Sequence, residues 1–400
     1  MLNLANSYLG EAAGPTEGLP TRSTRVSDGA ACFPVAGDGD NAPHHVDSYK
    51  TADVGIVLLQ YLRRKCENPY LQYSELPHSV DNGWETHTIL FTLEANPFLA
   101  KGFMRPLVLR IYASPEGAPR ASHETAVQNY LKALGYPVPR ILLLEENCSI
   151  FGGPFLIIER ALGETVVQFL SSHPLRIWPI AYQMAKVHRQ LHTLSTKGFP
   201  GIHSSFLDRR LHEIEDLIEN FALTGLIPGF QWLTANRPLE PTRPSILHLD
   251  FHPFNLIRSK DGSLTVLDWP EADVGDLHAD LGTTAVLFDC CPVGENTLFD
   301  EMILPIGRTL LQMGYWYEYK KGMPVDEQKL TFYKSLAALR RLAGYGRWLS
   351  AGPLSTGCKP SSIRYLCPHH LKVLQGYFRK ATGLAVQLDM GPADRTLEKV

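Results

Sequence analysis

The 400-residue chain has no apolar run that reaches the ~18 residues of a membrane-spanning helix. Its N-terminus lacks the basic region and following apolar segment that are typical of a signal peptide, so we expect none. The formal net charge is only -3, which gives no bulk electrostatic reason to bind nucleic acid or an anionic membrane. The sequence therefore predicts a protein that works with neither nucleic acid nor membrane.

Cysteine is sparse and irregularly placed. The seven cysteines lie at positions 32, 66, 148, 290, 291, 358 and 367, an odd number without the spacing of a disulfide framework. This pattern suits a reducing compartment, and we expect a cytoplasmic location. Cys367, His369 and His370 lie close together, but a second ligand pair at zinc-site spacing is missing, which favours an incidental cluster over a metal site.

Internal repeats are also missing, but the composition changes along the chain. Residues 1–47 are rich in glycine, alanine, proline, serine and aspartate with little periodicity, which predicts a flexible leader. Residues 48–160 alternate strand-like stretches with a helical pattern. The predicted strands lie at 86–93, 106–112, 141–144 and 154–158, and the predicted helices of this part lie near 54–62 and at 121–134.

Helical patterns dominate residues 161–400. They lie at 180–194, 205–222, 299–319, 328–349 and 369–381. A small β-rich part followed by a larger helical part predicts an α+β fold with two parts of unequal size.

The most informative motif lies in residues 246–255, which read Ile-Leu-His-Leu-Asp-Phe-His-Pro-Phe-Asn and are followed by Val-Leu-Asp-Trp at 266–269. A His-x-Asp-x4-Asn pattern, a short hairpin and a second aspartate form the layout of a kinase catalytic loop and its metal-binding residue. Phosphoryl transfer needs a carboxylate near the attacking hydroxyl and oxygen ligands for the magnesium ions that bridge the nucleotide phosphates. The spacing assigns the first role to Asp250 and the second to Asn255 and Asp268.

These segments resemble the aminoglycoside phosphotransferase and choline kinase-like family of small-molecule kinases, which writes them as His-Gly-Asp-x4-Asn and Asp-Trp. The family continues with Gly-Asp-x3-Asp-Leu, and the chain reads Gly-Asp-Leu-His-Ala-Asp-Leu at 275–281. The resemblance covers about residues 75–350. It implies a protein kinase-like α+β fold, with a β-rich N-lobe over residues 48–160 and a mainly helical C-lobe over 161–400. It also implies Mg²⁺-dependent transfer of the γ-phosphate of ATP or GTP to a hydroxyl of a small molecule.

The resemblance further implies a set of nucleotide-binding residues. Gly83 and Trp84 lie in a loop that covers the phosphates in the family. Arg110 stands on the strand that carries the family's phosphate-anchoring lysine, and Glu124 in the following helix is its natural partner. A guanidinium keeps the charge but presents a planar fork in place of a point-like ammonium, which leaves nucleotide affinity and preference open. In the segment that joins the lobes, the main-chain atoms of Glu159 and Ala161 are assigned to the purine.

Several neighbours of the catalytic loop have supporting roles by the same resemblance. His248 is assigned to holding the loop in shape through its backbone. Asp276 is assigned to capping the helix that begins near residue 277 or to bonding the loop, and Asp280 to structure. Glu271 and Asp273 have two possible roles: they contact a cationic substrate, or they lie in a solvated turn.

Other classes of protein stay open. An atypical protein kinase is disfavoured because no Ala-Pro-Glu-type segment follows Asp268. A nucleotide-binding pseudokinase is favoured only by Arg110, and an interaction protein without turnover is the last alternative. The candidate acceptors are an aminoglycoside or macrolide antibiotic, an amino alcohol, a sugar or another metabolite. Neither the acceptor nor the oligomeric state follows from the sequence, because a family resemblance fixes the reaction far better than it fixes the pocket.

Overall fold

The computed structural model describes residues 6–8, 51–80, 86–97, 99–201, 204–290, 298–352 and 368–388. The predicted leader over residues 1–47 lies outside these ranges, apart from strand β1 (Asn6–Tyr8). This strand pairs antiparallel with Gly163 and Glu164, a contact that the leader prediction did not include. Gly83 and Trp84 also lie outside the described residues.

A five-stranded antiparallel sheet organises the N-terminal half. Its strands are β2 (Tyr73–Ser79), β3 (Thr86–Leu93), β4 (Pro106–Tyr112), β5 (Ile141–Glu145) and β6 (Phe155–Glu159), in the order β2-β3-β4-β6-β5. The side chains of β4 alternate between the two faces of the sheet, as the two-residue period of a strand requires. Leu107 and Leu109 pack on one face with helix α1 (Thr51–Lys65), whereas Val108 packs on the other with helix α2 (Ala118–Ala133).

A short connection leads from the sheet into the helical half. Strand β7 (Gly163–Thr165) runs directly into helix α3 (Val166–Ser172). Thr165 and Gln168 form a capping box, in which the side chain of each residue accepts a hydrogen bond from the backbone N–H of the other. This arrangement fixes the start of α3.

The C-terminal half contains seven further helices within the described residues. They are α4 (Ile177–Thr193), α5 (Phe206–Asn220), α6 (Ile227–Ala235), α7 (Leu277–Cys290), α8 (Leu298–Gly322), α9 (Glu327–Ala351) and α10 (Pro368–Thr382). One core lies between α4, α8 and the catalytic segment, and a second lies between α5, α7, α9 and α10. No helix in the described ranges is long and apolar enough to cross a membrane.

The catalytic motif lies in short strands between α6 and α7. Strand β8 (Ser245–Leu247) precedes the motif, and β9 (Leu256–Arg258) and β10 (Leu264–Val266) form the expected hairpin after it. Strand β11 (Asp273–Gly275) then returns to pair antiparallel with β8. The α+β prediction is confirmed, and the motif sits where the sheet-bearing half meets the helical half.

Candidate active site

A carboxylate from α7 shapes the loop between β8 and β9. The backbone N–H groups of His248 and Leu249 donate to Oδ2 and Oδ1 of Asp280 at 2.6 and 2.8 Å. Leu249 has a φ of 63°, a left-handed conformation that costs a non-glycine residue about 1–2 kcal/mol. The resembled family has glycine at this position, which adopts such a φ without that cost. The two hydrogen bonds to Asp280 hold the backbone there with leucine instead.

Two buried histidines of α4 surround the same carboxylate. His188 Nε2 lies 3.0 Å and His192 Nε2 lies 3.1 Å from Oδ2 of Asp280. Each histidine accepts a hydrogen bond at Nδ1, from the hydroxyls of Tyr315 and Tyr319, both at 2.6 Å. Burial lowers the pKa of His188 to about 4, so this ring is neutral at pH 7. Burial acts to raise the pKa of Asp280, but the two histidines hold it well below its usual value.

The His248 side chain connects the two halves of the motif. Its Nδ1 accepts a hydrogen bond from the Asp250 N–H at 3.1 Å, and its Nε2–H donates to the Leu267 carbonyl at 2.9 Å. Burial lowers the pKa of His248, in agreement with a neutral ring that donates at one nitrogen and accepts at the other. The Trp269 ring lies against the imidazole, with 4.3 Å between ring centroids. These are the backbone contacts of the loop that the sequence assigned to His248.

Asp250 lies in a small group of donors. Asn255 Nδ2 donates to the Asp250 carbonyl at 3.0 Å and to its Oδ2 at 2.9 Å. His252 Nε2 is 3.4 Å from Oδ2, and a guanidinium nitrogen of Arg341 is 3.5 Å from Oδ1. Burial acts to raise the pKa of Asp250, but His252 and Arg341 bring it below its usual range. The carboxylate is therefore ionised at neutral pH.

Asp268 and Asn255 are brought together by the backbone between the motif's two segments. The Leu267 N–H donates to the Asn255 carbonyl at 2.9 Å. The Asn255 amide nitrogen bonds Asp250, so its oxygen is the atom that can serve a cation. Asp268 keeps 34% of its side chain exposed and adopts a φ of 70°. An amide oxygen and a partly exposed carboxylate are a donor set that suits Mg²⁺.

Arg110 on β4 links Glu124 of α2 to Asp268. Its NH1 and NH2 groups donate to Glu124 Oε1 at 2.7 Å and to Asp268 Oδ1 at 2.6 Å. Its Nε–H donates to the Thr86 hydroxyl, and the Tyr112 hydroxyl donates to the other Glu124 oxygen at 2.6 Å. Burial acts to lower the pKa of Arg110, but the two carboxylates raise it well above its usual value. The structure thus brings Arg110 and Glu124 together and adds the contact to Asp268, which sequence reasoning missed.

Glu159 and Ala161 lie where β6 leaves the sheet. The Glu159 N–H donates to the Arg140 carbonyl at 2.9 Å, and the Arg160 N–H donates to the Pro106 carbonyl at 3.0 Å. A purine bound beside this segment would have to use the Ala161 amide, since the two preceding amides are engaged.

Asp276 is placed at the start of α7 and bonds the helix rather than the catalytic loop. Its Oδ1 accepts from the His278 N–H at 3.0 Å, and its Oδ2 accepts from Lys329 Nζ at 2.8 Å. Of the two alternatives for Asp276, the structure therefore shows the helix cap, and the carboxylate that bonds the loop is Asp280. The sequence alone could not show which of the two carboxylates bonds the loop, because Asp276 and Asp280 lie about one helical turn apart.

The acidic turn after Asp268 is occupied by arginines. Glu271 Oε1 accepts from Arg120 at 2.8 Å, while its Oε2 accepts from Arg340 at 2.9 Å and lies 3.6 Å from Arg210. Burial acts to raise the pKa of Glu271, but the three guanidinium groups hold it far below its usual range. Asp273 is likewise paired with Arg209, at 2.6 Å. Neither a solvated turn nor an open cation site describes these two carboxylates.

A protein-family model described as the phosphotransferase enzyme family matches residues 79–299 of the chain. Among curated proteins, the chain is 25% identical over 259 residues to acyl-CoA dehydrogenase family member 11 from Pongo abelii, a match that covers 60% of this chain and 31% of that protein. It is 28% identical over 201 residues to acyl-CoA dehydrogenase family member 10 from Mus musculus, which covers 46% of this chain and 18% of the relative. The chain thus spans less than a third of these relatives' length.

Solved structures share the fold. A thermostable mutant of aminoglycoside phosphotransferase APH(4)-Ia, in ternary complex with ADP and hygromycin B, superposes with a TM-score of 0.56 at 14% identity. The match covers 82% of this chain and 99% of that one. The protein kinase-like fold with a β-rich N-lobe and a helical C-lobe is therefore confirmed.

Proposed function

The chain belongs to the phosphotransferase enzyme family, and we propose that it transfers the γ-phosphate of ATP or GTP to a hydroxyl group of a small molecule with Mg²⁺. The observation that carries this proposal is the meeting of Asp250, Asn255 and Asp268 at the junction of the two lobes. Asn255 bonds Asp250 directly, and the neighbour of Asp268 bonds Asn255. Such a constellation supplies a base and two oxygen ligands to one cleft.

Asp250 acts on the acceptor. Its ionised carboxylate accepts a hydrogen bond from the attacking hydroxyl and orients that oxygen. It receives the hydroxyl proton as the new O–P bond forms and the bond between the γ-phosphate and the departing nucleoside diphosphate breaks. In a loose phosphoryl-transfer transition state, orientation is the larger share of this contribution. His248 and Asp280 have a supporting role, because they fix the backbone that carries Asp250. Asp276 supports the site indirectly, because it caps the start of α7, the helix that carries Asp280.

Asn255 and Asp268 would hold Mg²⁺, which when bound neutralises charge on the nucleotide phosphates. Arg110, kept in place by Glu124, would contact the phosphates beside Asp268. Gly83 and Trp84 would cover them, and the segment from Glu159 to Ala161 would receive the purine. The aminoglycoside phosphotransferase that shares the fold is a complex with ADP and hygromycin B, which supports a nucleotide and a small-molecule acceptor here.

We place this activity in the cytoplasm. Cys66 and Cys148 are free thiols, which suits a reducing compartment.

The nucleotide site is tested by the melting temperature with ATP or GTP, with and without Mg²⁺. A ligand at 100 times its Kd stabilises the folded protein by about 2.7 kcal/mol, so a bound nucleotide raises the melting temperature. We expect a magnesium-dependent rise that is lost in Asp268→Ala and kept in Asp216→Ala, an exposed aspartate of α5. No rise with either nucleotide would contradict the proposal.

The transfer step is tested with Asp250→Ala. We expect this variant to bind Mg·ATP like the wild type but to lose acceptor-dependent ADP release by about 10²–10⁴-fold, the usual contribution of a positioned base. Near-normal turnover in Asp250→Ala would show that another group activates the acceptor.

One observation favours a second candidate, a nucleotide-binding protein without turnover. Arg110 lies 2.6 Å from Asp268, so one oxygen of the metal-binding carboxylate is engaged by a fixed guanidinium. Binding of Mg·ATP together with undetectable phosphoryl transfer to every acceptor tested would support this candidate.

A further inference from the structure

The carboxylates around the catalytic loop are poorly suited to a cationic acceptor. Glu271 already contacts three arginines, Glu213 lies 3.0 Å from Arg340, and Asp273 lies 2.6 Å from Arg209. An ammonium group that entered here would have to displace a charge-assisted hydrogen bond at each of these carboxylates, and such bonds are about twice as strong as neutral ones. An amino alcohol or an aminoglycoside is thus disfavoured as the acceptor.

One arginine beside the loop has a different environment. Arg341 on α9 keeps 26% of its side chain exposed, and its ion pair within the described residues is a long contact of 3.5 Å to Asp250 Oδ1. A guanidinium carries five N–H donors in a planar fork that matches a carboxylate or a phosphate. Its neighbour Arg340 points its donors at Glu213 and Glu271 instead. Arg341 therefore presents donor capacity at the place where the acceptor hydroxyl must lie.

We propose that the acceptor carries an anionic oxyacid group, a carboxylate or a phosphate, which Arg341 binds while the acceptor hydroxyl faces Asp250. This inference rests on the proposed phosphotransferase function and names its substrate class. It makes Arg341 a specificity-determining residue, because the same guanidinium would repel an ammonium group.

The short distance between Arg341 and Asp250 also limits the acceptor's size. The two groups are 3.5 Å apart, and each hydrogen bond to the acceptor adds about 2.8 Å. The hydroxyl oxygen and the nearest anionic oxygen of the acceptor then lie within about 9 Å of each other. The anionic group and the reacting hydroxyl are therefore separated by no more than a short carbon chain.

Anion binding tests the role of Arg341 without knowledge of the acceptor. The melting temperature of the full chain, saturated with Mg·AMP-PNP to fill the nucleotide's phosphate positions, is measured against sodium acetate and sodium phosphate, with sodium chloride at equal ionic strength as reference. We expect one or both anions to stabilise the protein, and the concentration for half of the effect to rise about tenfold or more in Arg341→Gln, as for a lost charge-assisted pair. Arg243→Gln, at an exposed arginine, serves as the matched control and should behave like the wild type.

The two anions distinguish the two sources of an oxyacid group, since acetate mimics a carboxylate and phosphate a phosphoryl group. Equal anion binding by the wild type and Arg341→Gln, or none by the wild type, would overturn the proposal. If nucleotide and Mg²⁺ did not raise the melting temperature of the wild type, the phosphotransferase function itself would be contradicted. Failure of the anion-binding proposal can therefore be distinguished from failure of the proposed function.

Turnover with matched acceptors gives a second measurement. Hydroxy acids are compared with their amides, sugar phosphates with the parent sugars, and amino alcohols serve as the cationic set, with acceptor-dependent ADP release as the readout. We expect kcat/KM at least about tenfold higher for the anionic member of a pair, with the advantage lost in Arg341→Gln through KM and partly restored in Arg341→Lys. A preference for amino alcohols, or an equal loss of kcat for charged and neutral acceptors in Arg341→Gln, would overturn the assignment. If no acceptor in the set is turned over, the anion-binding result decides.

Discussion

Leu249 combines a disfavoured backbone conformation with a favourable burial. Its φ is 63°, yet its side chain is only 6% exposed and packs in the core formed with α5, α7 and α9. Asp280 accepts hydrogen bonds from the backbone N–H groups of this residue and its predecessor, and these bonds keep the conformation in place. Backbone strain and side-chain packing therefore oppose each other at Leu249, and comparison of two substitutions measures the strain apart from the packing.

We predict that Leu249→Gly is more stable than Leu249→Ala. Both variants lose the packing of the leucine side chain, which costs about 2–5 kcal/mol. Only glycine also relieves the left-handed strain, by about 1–2 kcal/mol. The free energy of unfolding from urea denaturation, measured for both variants, gives the difference. A glycine variant that is less stable than the alanine variant would show that the loop relaxes without Asp280 holding it.

His188 makes the stability of the protein depend on pH. Burial lowers its pKa in the folded state to about 4, from 6.5. Between these values the unfolded chain binds a proton that the folded protein does not, so the free energy of unfolding falls as the pH decreases. We predict full stability above pH 7 and a loss of up to about 3 kcal/mol near pH 4, since each unit of pKa corresponds to about 1.4 kcal/mol.

The measurement is urea denaturation between pH 7.5 and 4.5. The variant His188→Gln removes the titrating ring, so its curve should be flatter over this window although its stability is lower throughout. His212→Gln changes an exposed histidine on α5 and should keep the wild-type pH dependence. Equal slopes for His188→Gln and His212→Gln would mean that His188 does not carry this linkage.

At this scale the sequence identified the residues that we propose to react better than it identified the contacts that hold them in place. Asp250, Asn255 and Asp268 could be chosen because their spacing along the chain matches a reaction. The contact of His192 with Asp280 spans 88 positions, and no local pattern announces it. The sequence left Asp276 with two alternative roles, a helix cap or a bond to the loop, for the same reason, since only the three-dimensional path of α7 shows which carboxylate reaches the loop backbone.

At the scale of elements, local pattern was sufficient where it was strong. The structure places β3 at Thr86–Leu93 and β4 at Pro106–Tyr112, the bounds that their β-branched and apolar residues predicted. Helix α6 was not predicted, because Gly229 lowers the helix propensity of this short segment, whereas Pro228 is compatible with a helix only in its first turn. In the folded protein Leu233 is buried against the core of the C-lobe, and this packing overrides the propensity.

Helices α7 and α9 approach so closely at Gly282 that no side chain fits between them. A Cβ atom there would lie 2.6 Å from the Tyr333 carbonyl carbon and 2.8 Å from the Lys334 nitrogen, both of them backbone atoms. Gly344, in the interior of α9, has no atom within 4 Å of an added Cβ. The two glycines share a helical setting and differ only in what lies beside them.

We predict opposite effects of the same substitution at these two positions. Gly344→Ala should stabilise the protein by up to about 1 kcal/mol, because alanine is the better helix former. Gly282→Ala should destabilise it by about 1–3 kcal/mol, as expected when extra volume forces backbone shifts in a packed core. Melting temperature and urea denaturation report both. Stabilisation by Gly282→Ala would show that α7 and α9 can separate without cost.

At the scale of the whole molecule, polar contacts join the two lobes. His123 Nε2 lies 2.7 Å from the Ala272 carbonyl, and the Val266 N–H donates to the Pro137 carbonyl at 2.8 Å. Arg110 crosses the same junction, from the sheet of the N-lobe to Asp268. The segment around Asp268 thus belongs to the C-lobe in sequence but is positioned by contacts with the N-lobe.

We predict that Arg110→Ala destabilises the folded protein by about 3–5 kcal/mol, because it leaves the fully buried Glu124 carboxylate without its counter-charge. Adding Glu124→Gln to Arg110→Ala should restore part of this loss, since the remaining amide is neutral and still accepts the hydrogen bond from Tyr112. Arg64→Ala, at an exposed arginine of α1, is the control and should change little. The free energy of unfolding for the two single variants and the double variant gives the coupling. If the free-energy losses of the two single variants simply added in the double variant, Arg110 and Glu124 would not be coupled. Arg110 would then stabilise the protein mainly through its contact with Asp268.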